Sequence, residues 1–134
     1  MKVIITYGTF DLLHYGHIRL LKRARELGDY LIVGLSTDEF NETKGKTSYY
    51  NYEIRKEMLE ALKYVDKVIP EKNWEQKPGD IQKYKVDTLV MGSDWENSDR
   101  FTYLQEHCNL TFLSRTQGIS STLLKANIAK EESK

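Results

Sequence analysis

Five short apolar runs alternate with amphipathic helical patterns along these 134 residues, and that alternation decides the fold class. Val3 to Tyr7, Tyr30 to Leu35 (YLIVGL), Lys67 to Pro70 (KVIP), Asp87 to Met91 (DTLVM) and Leu110 to Leu113 (LTFL) read as strands. The first two do not alternate apolar with polar residues, so both of their faces must be covered, as in a parallel sheet. From Gly16 to Leu27, Ile18, Leu20, Leu21, Ala24 and Leu27 form one helical stripe, and Lys22, Arg23, Arg25 and Glu26 fall opposite it. Gly28 stands where a C-cap is expected. Ser36-Thr37-Asp38-Glu39 has the form of a cap and a first helical turn. Tyr52 to Tyr64 is expected to be helical, with Ile54, Met58, Leu59 and Leu62 apolar; Pro78 suits the first turn of a helix running through Tyr84. Arg100 to His107 and Ser120 to Ala129 read as the remaining helices. Thr43 to Tyr50 (TKGKTSYY) has no periodicity and is expected to be a mobile loop. Strands and helices in this order predict an α/β fold: a single-domain, doubly wound parallel sheet of about five strands with helices on both faces. The domain is expected over residues 1–129, with a charged tail from Lys130 to Lys134.

In such sheets ligands bind beyond the carboxyl ends of the strands, near the point where strand order reverses. That places the loops Gly8 to His17, Gly92 to Asn97 and Ser114 to Ser121 around one crevice. Twenty basic and twenty acidic residues cancel, which argues against a general nucleic-acid or membrane-surface binder and leaves room for a local basic pocket. A single cysteine, Cys108, cannot close an intrachain disulfide and reads as a structural thiol. No apolar run reaches membrane-spanning length, and nothing near Met1 has the form of a signal peptide. The chain is expected to be cytoplasmic.

Three phosphate-directed segments converge on the predicted crevice. In the first, Tyr7-Gly8-Thr9-Phe10-Asp11-Leu12-Leu13-His14-Tyr15-Gly16-His17, a glycine-bearing turn opens a helix beside two imidazoles. Unpaired N–H groups and the helix dipole favour an anion there, and His14 and His17 can donate to it without a metal. The alternative is an ordinary strand-to-helix turn, against which stand two histidines three residues apart with Gly16 between them. In the second, Arg115-Thr116-Gln117-Gly118-Ile119-Ser120-Ser121-Thr122, Gly118 supplies a turn, Ser120 a cap and Arg115 a planar fork for phosphate oxygens. Lys44 and Lys46 flank Gly45 in the third, and either close over a bound triphosphate or are simply solvated. After the fourth strand, Asp94 can accept from a base amino group or a hydroxyl, and Trp95 can pack on a ring. Walker, zinc-ligand and Ser-His-Asp patterns are all absent.

Gly8-Thr9-Phe10-Asp11 followed by His14-Tyr15-Gly16-His17 resembles the signature of the nucleotidyltransferase superfamily. With Arg115 to Thr122, Ser36 to Phe40 and Val68 to Glu75, the chain over about residues 1–129 resembles the cytidylyltransferases of that superfamily, in particular those of Gram-positive bacteria that act on glycerol 3-phosphate. The resemblance implies a Rossmann-like fold and in-line attack of sn-glycerol 3-phosphate on the α-phosphate of CTP. The products are CDP-glycerol, for teichoic-acid synthesis in the cell wall, and pyrophosphate. It also implies a cytoplasmic homodimer and a divalent cation, usually magnesium, with no nucleic-acid or membrane partner. Carried over by position, His14, His17, Lys46 and Arg115 act in catalysis. Gly8, Thr9, Phe10, Asp94, Thr116, Gly118, Ile119, Ser120, Ser121 and Thr122 join them in holding the nucleotide. Lys44, Lys63 and Lys77 are candidates for the acceptor. Magnesium is expected to ride on the CTP phosphates, with Asp11 as a candidate ligand. Two departures stand out: Lys63 where arginine is expected, and a longer segment from Asn97 to Arg100. An adenylyltransferase, an ethanolamine-phosphate cytidylyltransferase and a non-catalytic nucleotide-binding module remain as rival readings.

Overall fold

Val3–Gly8 (β1) lies at the centre of a five-stranded parallel sheet, with Tyr30–Ser36 (β2) and Val86–Gly92 (β4) on either side of it. Lys67–Glu71 (β3) and Asn109–Leu113 (β5) form the edges, so the order is β3-β2-β1-β4-β5. The computed structural model describes residues 1–115. The helices are Tyr15–Glu26 (α1), Asp38–Thr43 (α2), Tyr52–Glu60 (α3), Lys77–Tyr84 (α4) and Asp99–Thr102 (α5), with single 3-10 turns at Ser93–Trp95 and Tyr103–Glu106. The helix expected from Ser120 to Ala129 and the charged tail fall outside the described residues. Strand order reverses between β1 and β4, which opens a crevice at their carboxyl ends.

Period-two alternation in β1 divides the core. Val3, Ile5 and Tyr7 join Ile81 of α4, Phe101 of α5 and Leu104 beneath one face; Ile4 joins Leu21 and Ala24 of α1 and Leu59 of α3 on the other. Both faces are therefore covered, as the uninterrupted apolar runs required.

Three local expectations change. The helix from Tyr52 stops at Glu60, with Ala61 as its C-cap, and Ile54 is 40% exposed while Arg55 is fully buried. Leu27 caps α1 in ordinary right-handed conformation, so Gly28 is not the cap. A Cβ at Gly28 would lie 2.7 Å from the Lys2 carbonyl oxygen, so close approach to the entry of β1 is what requires glycine there. The Thr43–Tyr50 loop, expected to be mobile, is tied down at its far end: the Asp11 carboxylate accepts the backbone N–H groups of Tyr49 and Tyr50.

Pro70 sits in an edge strand, where a residue without an N–H is tolerated. Its carbonyl accepts from the Gln76 side chain at 2.9 Å, so this backbone position faces away from β2.

Candidate active site

A cavity of about 510 Å³ opens at the carboxyl ends of the strands. It is lined by the β1–α1 loop (Gly8, Thr9, Phe10, Asp11, His14, His17), by Lys44 and Lys46, by Asp94 and Trp95 after β4, and by Ser114 and Arg115 after β5. The β1–α1 loop, the turn after β4 and the start of the segment after β5 therefore meet as the sheet topology led one to expect; of Ser114 to Ser121 only Ser114 and Arg115 fall among the described residues.

The β1–α1 loop is wound tightly. Phe10 and Leu12 adopt left-handed backbone, at φ +48° and +50°, a conformation costing a non-glycine residue about 1–2 kcal/mol. Burial of the Phe10 ring against the α1 side of the core offsets part of that cost. The winding turns Asp11 inward, where it is 2% exposed and holds the Tyr49–Tyr50 backbone.

His14 is itself the N-cap of α1. Its Nδ1 accepts the Gly16 N–H at 3.0 Å, and the Nδ1 of His17 accepts the His14 N–H at 3.3 Å, a capping box built from two imidazoles. An acceptor Nδ1 requires the proton of the neutral ring to be on Nε2, so both rings are set as Nε2–H donors. The rings stack with centroids 3.9 Å apart. Burial lowers the pKa of His14. Burial first, and then the neighbouring His14, lowers that of His17 to about 4, against a smaller opposing pull from Asp11. Both rings are neutral at pH 7. The sign of the pH effect follows. An unfolded His17 takes up a proton near pH 6.5 and the folded one only near 4, so between these values the unfolded chain binds more protons. Stability is expected to fall as pH drops from 6.5 toward 4 and to be unaffected by this group above 6.5. Urea denaturation at pH 7 and pH 5 measures it. A His17→Gln chain that loses as much stability as the parent between the two would assign the effect elsewhere.

Lys44 lines the same cavity from the end of α2. Its Nζ donates to Ser36 Oγ at 3.0 Å and sits 4.4 Å from the Phe40 ring centroid. Burial first, helped by the charges of Lys46, Lys77 and Arg55 and opposed by Glu71, lowers its pKa to about 8. Lys46, also lining the cavity, is exposed. Asp94 and Arg115, proposed separately from sequence, form an exposed ion pair of 2.9 Å at the rim.

Other expectations fare differently. Lys77 is fully buried, its Nζ 2.6 Å from the Glu71 carboxylate and over the rings of Tyr7, Trp74 and Phe101, behind the cavity wall rather than in it. Lys63 is exposed over Tyr64 in the connection to β3, at the amino ends of the strands, and the structure does not bring it to the cavity. Thr116, Gly118, Ile119, Ser120, Ser121 and Thr122 lie outside the described residues.

Sequence reasoning passed over three supports. Arg55 of α3 donates to the carbonyls of Thr9, Ser36 and Tyr50 and to the Asp38 carboxylate, at 2.7–3.0 Å. Asn41 accepts from Thr9 and Ser36. Glu71 pairs with Lys77, its pKa raised by burial against the pull of that lysine. A charged residue four positions before Leu59, on the buried stripe of α3, was the one visible sign of Arg55.

The cytidylyltransferase-like family model matches residues 5–127. The glycerol-3-phosphate cytidylyltransferase of Staphylococcus aureus (strain NCTC 8325 / PS 47) is 59% identical over 134 residues, covering 100% of both chains. That of Bacillus subtilis (strain 168) is 58% identical over 129 residues, covering 96% of this chain and 98% of its own. Among solved structures, the lipopolysaccharide core biosynthesis protein of Thermoplasma volcanium GSS1 superposes with a TM-score of 0.73 at 25% identity, over 87% of this chain and 99% of that one.

Proposed function

We infer that this chain, which belongs to the cytidylyltransferase-like family, forms CDP-glycerol and pyrophosphate from CTP and sn-glycerol 3-phosphate, as the names of its full-length relatives describe. The observation that carries the mechanism is the pair of neutral imidazoles at the start of α1, each held by a backbone N–H so that Nε2–H is the remaining donor.

A phosphate monoester is already an anion near neutral pH, so the attack needs no general base. An oxygen of glycerol 3-phosphate forms a bond to the α-phosphorus, the bond to the bridging oxygen breaks, and pyrophosphate leaves with that electron pair. Positioning two polyanions and steadying the charge that moves onto the leaving group supply the rate. His14 and His17 donate to the nucleotide's phosphates at the N-terminus of α1, whose dipole favours the same charge. Lys46, on the pinned loop, adds charge from the opposite side. Arg115 is free to turn onto phosphate, because an ion pair as exposed as its contact with Asp94 is worth little in water. Lys44, held over Phe40 and drawn toward Glu71, suits the anionic acceptor.

Magnesium belongs to the same reading. Within the cavity Asp11 is bonded to backbone N–H groups, Glu71 to Lys77 and Asp94 to Arg115. The carboxylates of the described residues therefore form no ready ligand set, and no step is assigned to the metal; the phosphates of CTP would hold it. A homodimer working in the cytoplasm, with its product passing to teichoic-acid synthesis, completes the proposal. It is supported by the full-length similarity and by exposed Tyr15, Tyr49 and Ile54. No helix of the described residues is long and apolar enough to cross a membrane.

Pyrophosphate release measured for four NTPs against glycerol 3-phosphate, ethanolamine phosphate and other monoesters tests the reading. CTP with glycerol 3-phosphate is expected to exceed every other pair in kcat/KM by about 10²-fold or more. Preference for ATP or for ethanolamine phosphate would replace the substrate assignment. CTP binding without pyrophosphate release under all conditions would leave a nucleotide-binding module.

A further inference from the structure

Asn41, at 1% exposure in α2, has the only buried side-chain nitrogen or oxygen among the described residues that lacks a hydrogen-bond partner: its Nδ2. An unpaired buried donor is costly and needs a reason. Its Oδ1, by contrast, is doubly used. Thr9 Oγ1 donates to it at 3.0 Å and Ser36 Oγ at 2.9 Å, while Ser36 Oγ itself receives Lys44 Nζ at 3.0 Å. A directed chain results: Lys44 gives to Ser36, Ser36 gives to Asn41, and Thr9 gives to Asn41 from the other side. Thr9 and Lys44 both line the cavity, the first assigned above to the nucleotide and the second to the acceptor. The Asn41 carbonyl also accepts the N–H groups of both Lys44 and Lys46, which fixes the start of the lysine loop to the same residue.

We propose that Asn41 is a positioning residue through which Lys44 and Thr9 act on one another, its amide turning over when Lys44 leaves Ser36 for the acceptor phosphate. While the ammonium donates to Ser36, the Ser36 proton is turned to Asn41, which therefore presents Oδ1 to it. Once Lys44 turns away, the Ser36 proton can turn to the side the ammonium left, and a lone pair faces Asn41 instead. Rotation of the amide then places Nδ2 where Oδ1 stood, and its two hydrogens reach Ser36 and Thr9. The orphan donor gains two partners, Oδ1 takes over the unpaired position, and the Thr9 proton is displaced toward the cavity. Thr9 changes from an acceptor facing the nucleotide to a donor facing its phosphates. Acceptor binding thereby strengthens nucleotide binding, and the reverse must also hold. This rests on the assignment of Lys44 to the acceptor made above.

The test is the KM for CTP at trace and at saturating glycerol 3-phosphate. In the unaltered enzyme the acceptor is expected to lower it about tenfold. In Asn41→Leu the ratio should fall to near one, and in Asn41→Asp as well, because a carboxylate accepts from both hydroxyls but cannot donate. Thr9→Ser should keep the ratio and Thr9→Val lose it. A merely structural Asn41 would lower the melting temperature and leave the ratio intact, which overturns the relay, as does a ratio near one in the unaltered enzyme. If Asn41→Leu does not fold, Ser36→Ala cuts the same chain, and a retained ratio there overturns it equally. Lys44→Ala with an unchanged KM for glycerol 3-phosphate removes the acceptor end and the relay with it. Failure of the reaction assignment itself is distinct: no CDP-glycerol would form from the unaltered enzyme.

Discussion

Replacing His17 with alanine is expected to lower kcat by about 10²–10³-fold, the usual cost of one preorganised donor at a charge that develops in the transition state. CTP affinity should change far less, because the donor matters most as charge shifts to the leaving pyrophosphate. His14 offers a sharper separation of roles. His14→Ala removes the donor together with the cap on Gly16, and should cost about 1 kcal/mol of stability in addition to the loss of turnover. Asparagine at position 14 can still cap α1 but cannot place a donor where Nε2 stands. His14→Asn should therefore keep most of the stability while kcat stays low. Steady-state kinetics beside urea denaturation of both variants measures this. A normal kcat with only a raised KM would remove the histidines from the chemistry.

The second large effect is on stability and comes from a residue outside the cavity lining. Arg55→Met should destabilise the fold by about 3–5 kcal/mol, because three carbonyls lose a charged donor at about 1–3 kcal/mol each while the partly exposed Asp38 carboxylate can turn to water, out of a total that for most domains is about 5–15 kcal/mol. The guanidinium meets three carbonyls and one carboxylate drawn from the β1–α1 loop, the end of β2, the start of α2 and the end of the lysine loop. Methionine fills much of the volume and leaves those acceptors unpaired. Lysine presents a point charge in place of a fork, so Arg55→Lys should recover only part of the loss. A loss below about 1 kcal/mol for Arg55→Met would show that solvent reaches these groups once the arginine is gone.

The layout of the sheet was legible because apolar runs too uniform for a half-exposed strand demand cover on two faces, and five of them between helices leave few topologies. The cavity was legible for a related reason, since the carboxyl ends of β1, β4 and β5 must meet at the reversal of strand order. What escaped was long-range polar pairing. Hydrophobic spacing put Ile54 on the inner stripe of α3, yet the position beside it is buried, because a guanidinium finds four acceptors there that come from distant segments. Glu71 and Lys77 are six residues apart and carry no local mark of burial. Lys63 was placed by family resemblance, and the strand direction carries it to the far end of the sheet. His14 was legible as a phosphate donor but not as a helix cap, because imidazole is not among the usual capping side chains.

Pro70 has a consequence for how copies of this chain can meet. At this position the outer border of β3 offers no N–H, and its carbonyl is already taken by Gln76. An incoming strand would find its hydrogen-bond ladder interrupted at the fourth residue of a five-residue border. Growth of the sheet across β3 into a continuous intermolecular sheet, the common route to fibrous aggregation, is blocked there by one ring and one side-chain amide. Self-association through this side of the molecule is therefore left to helix faces and loops.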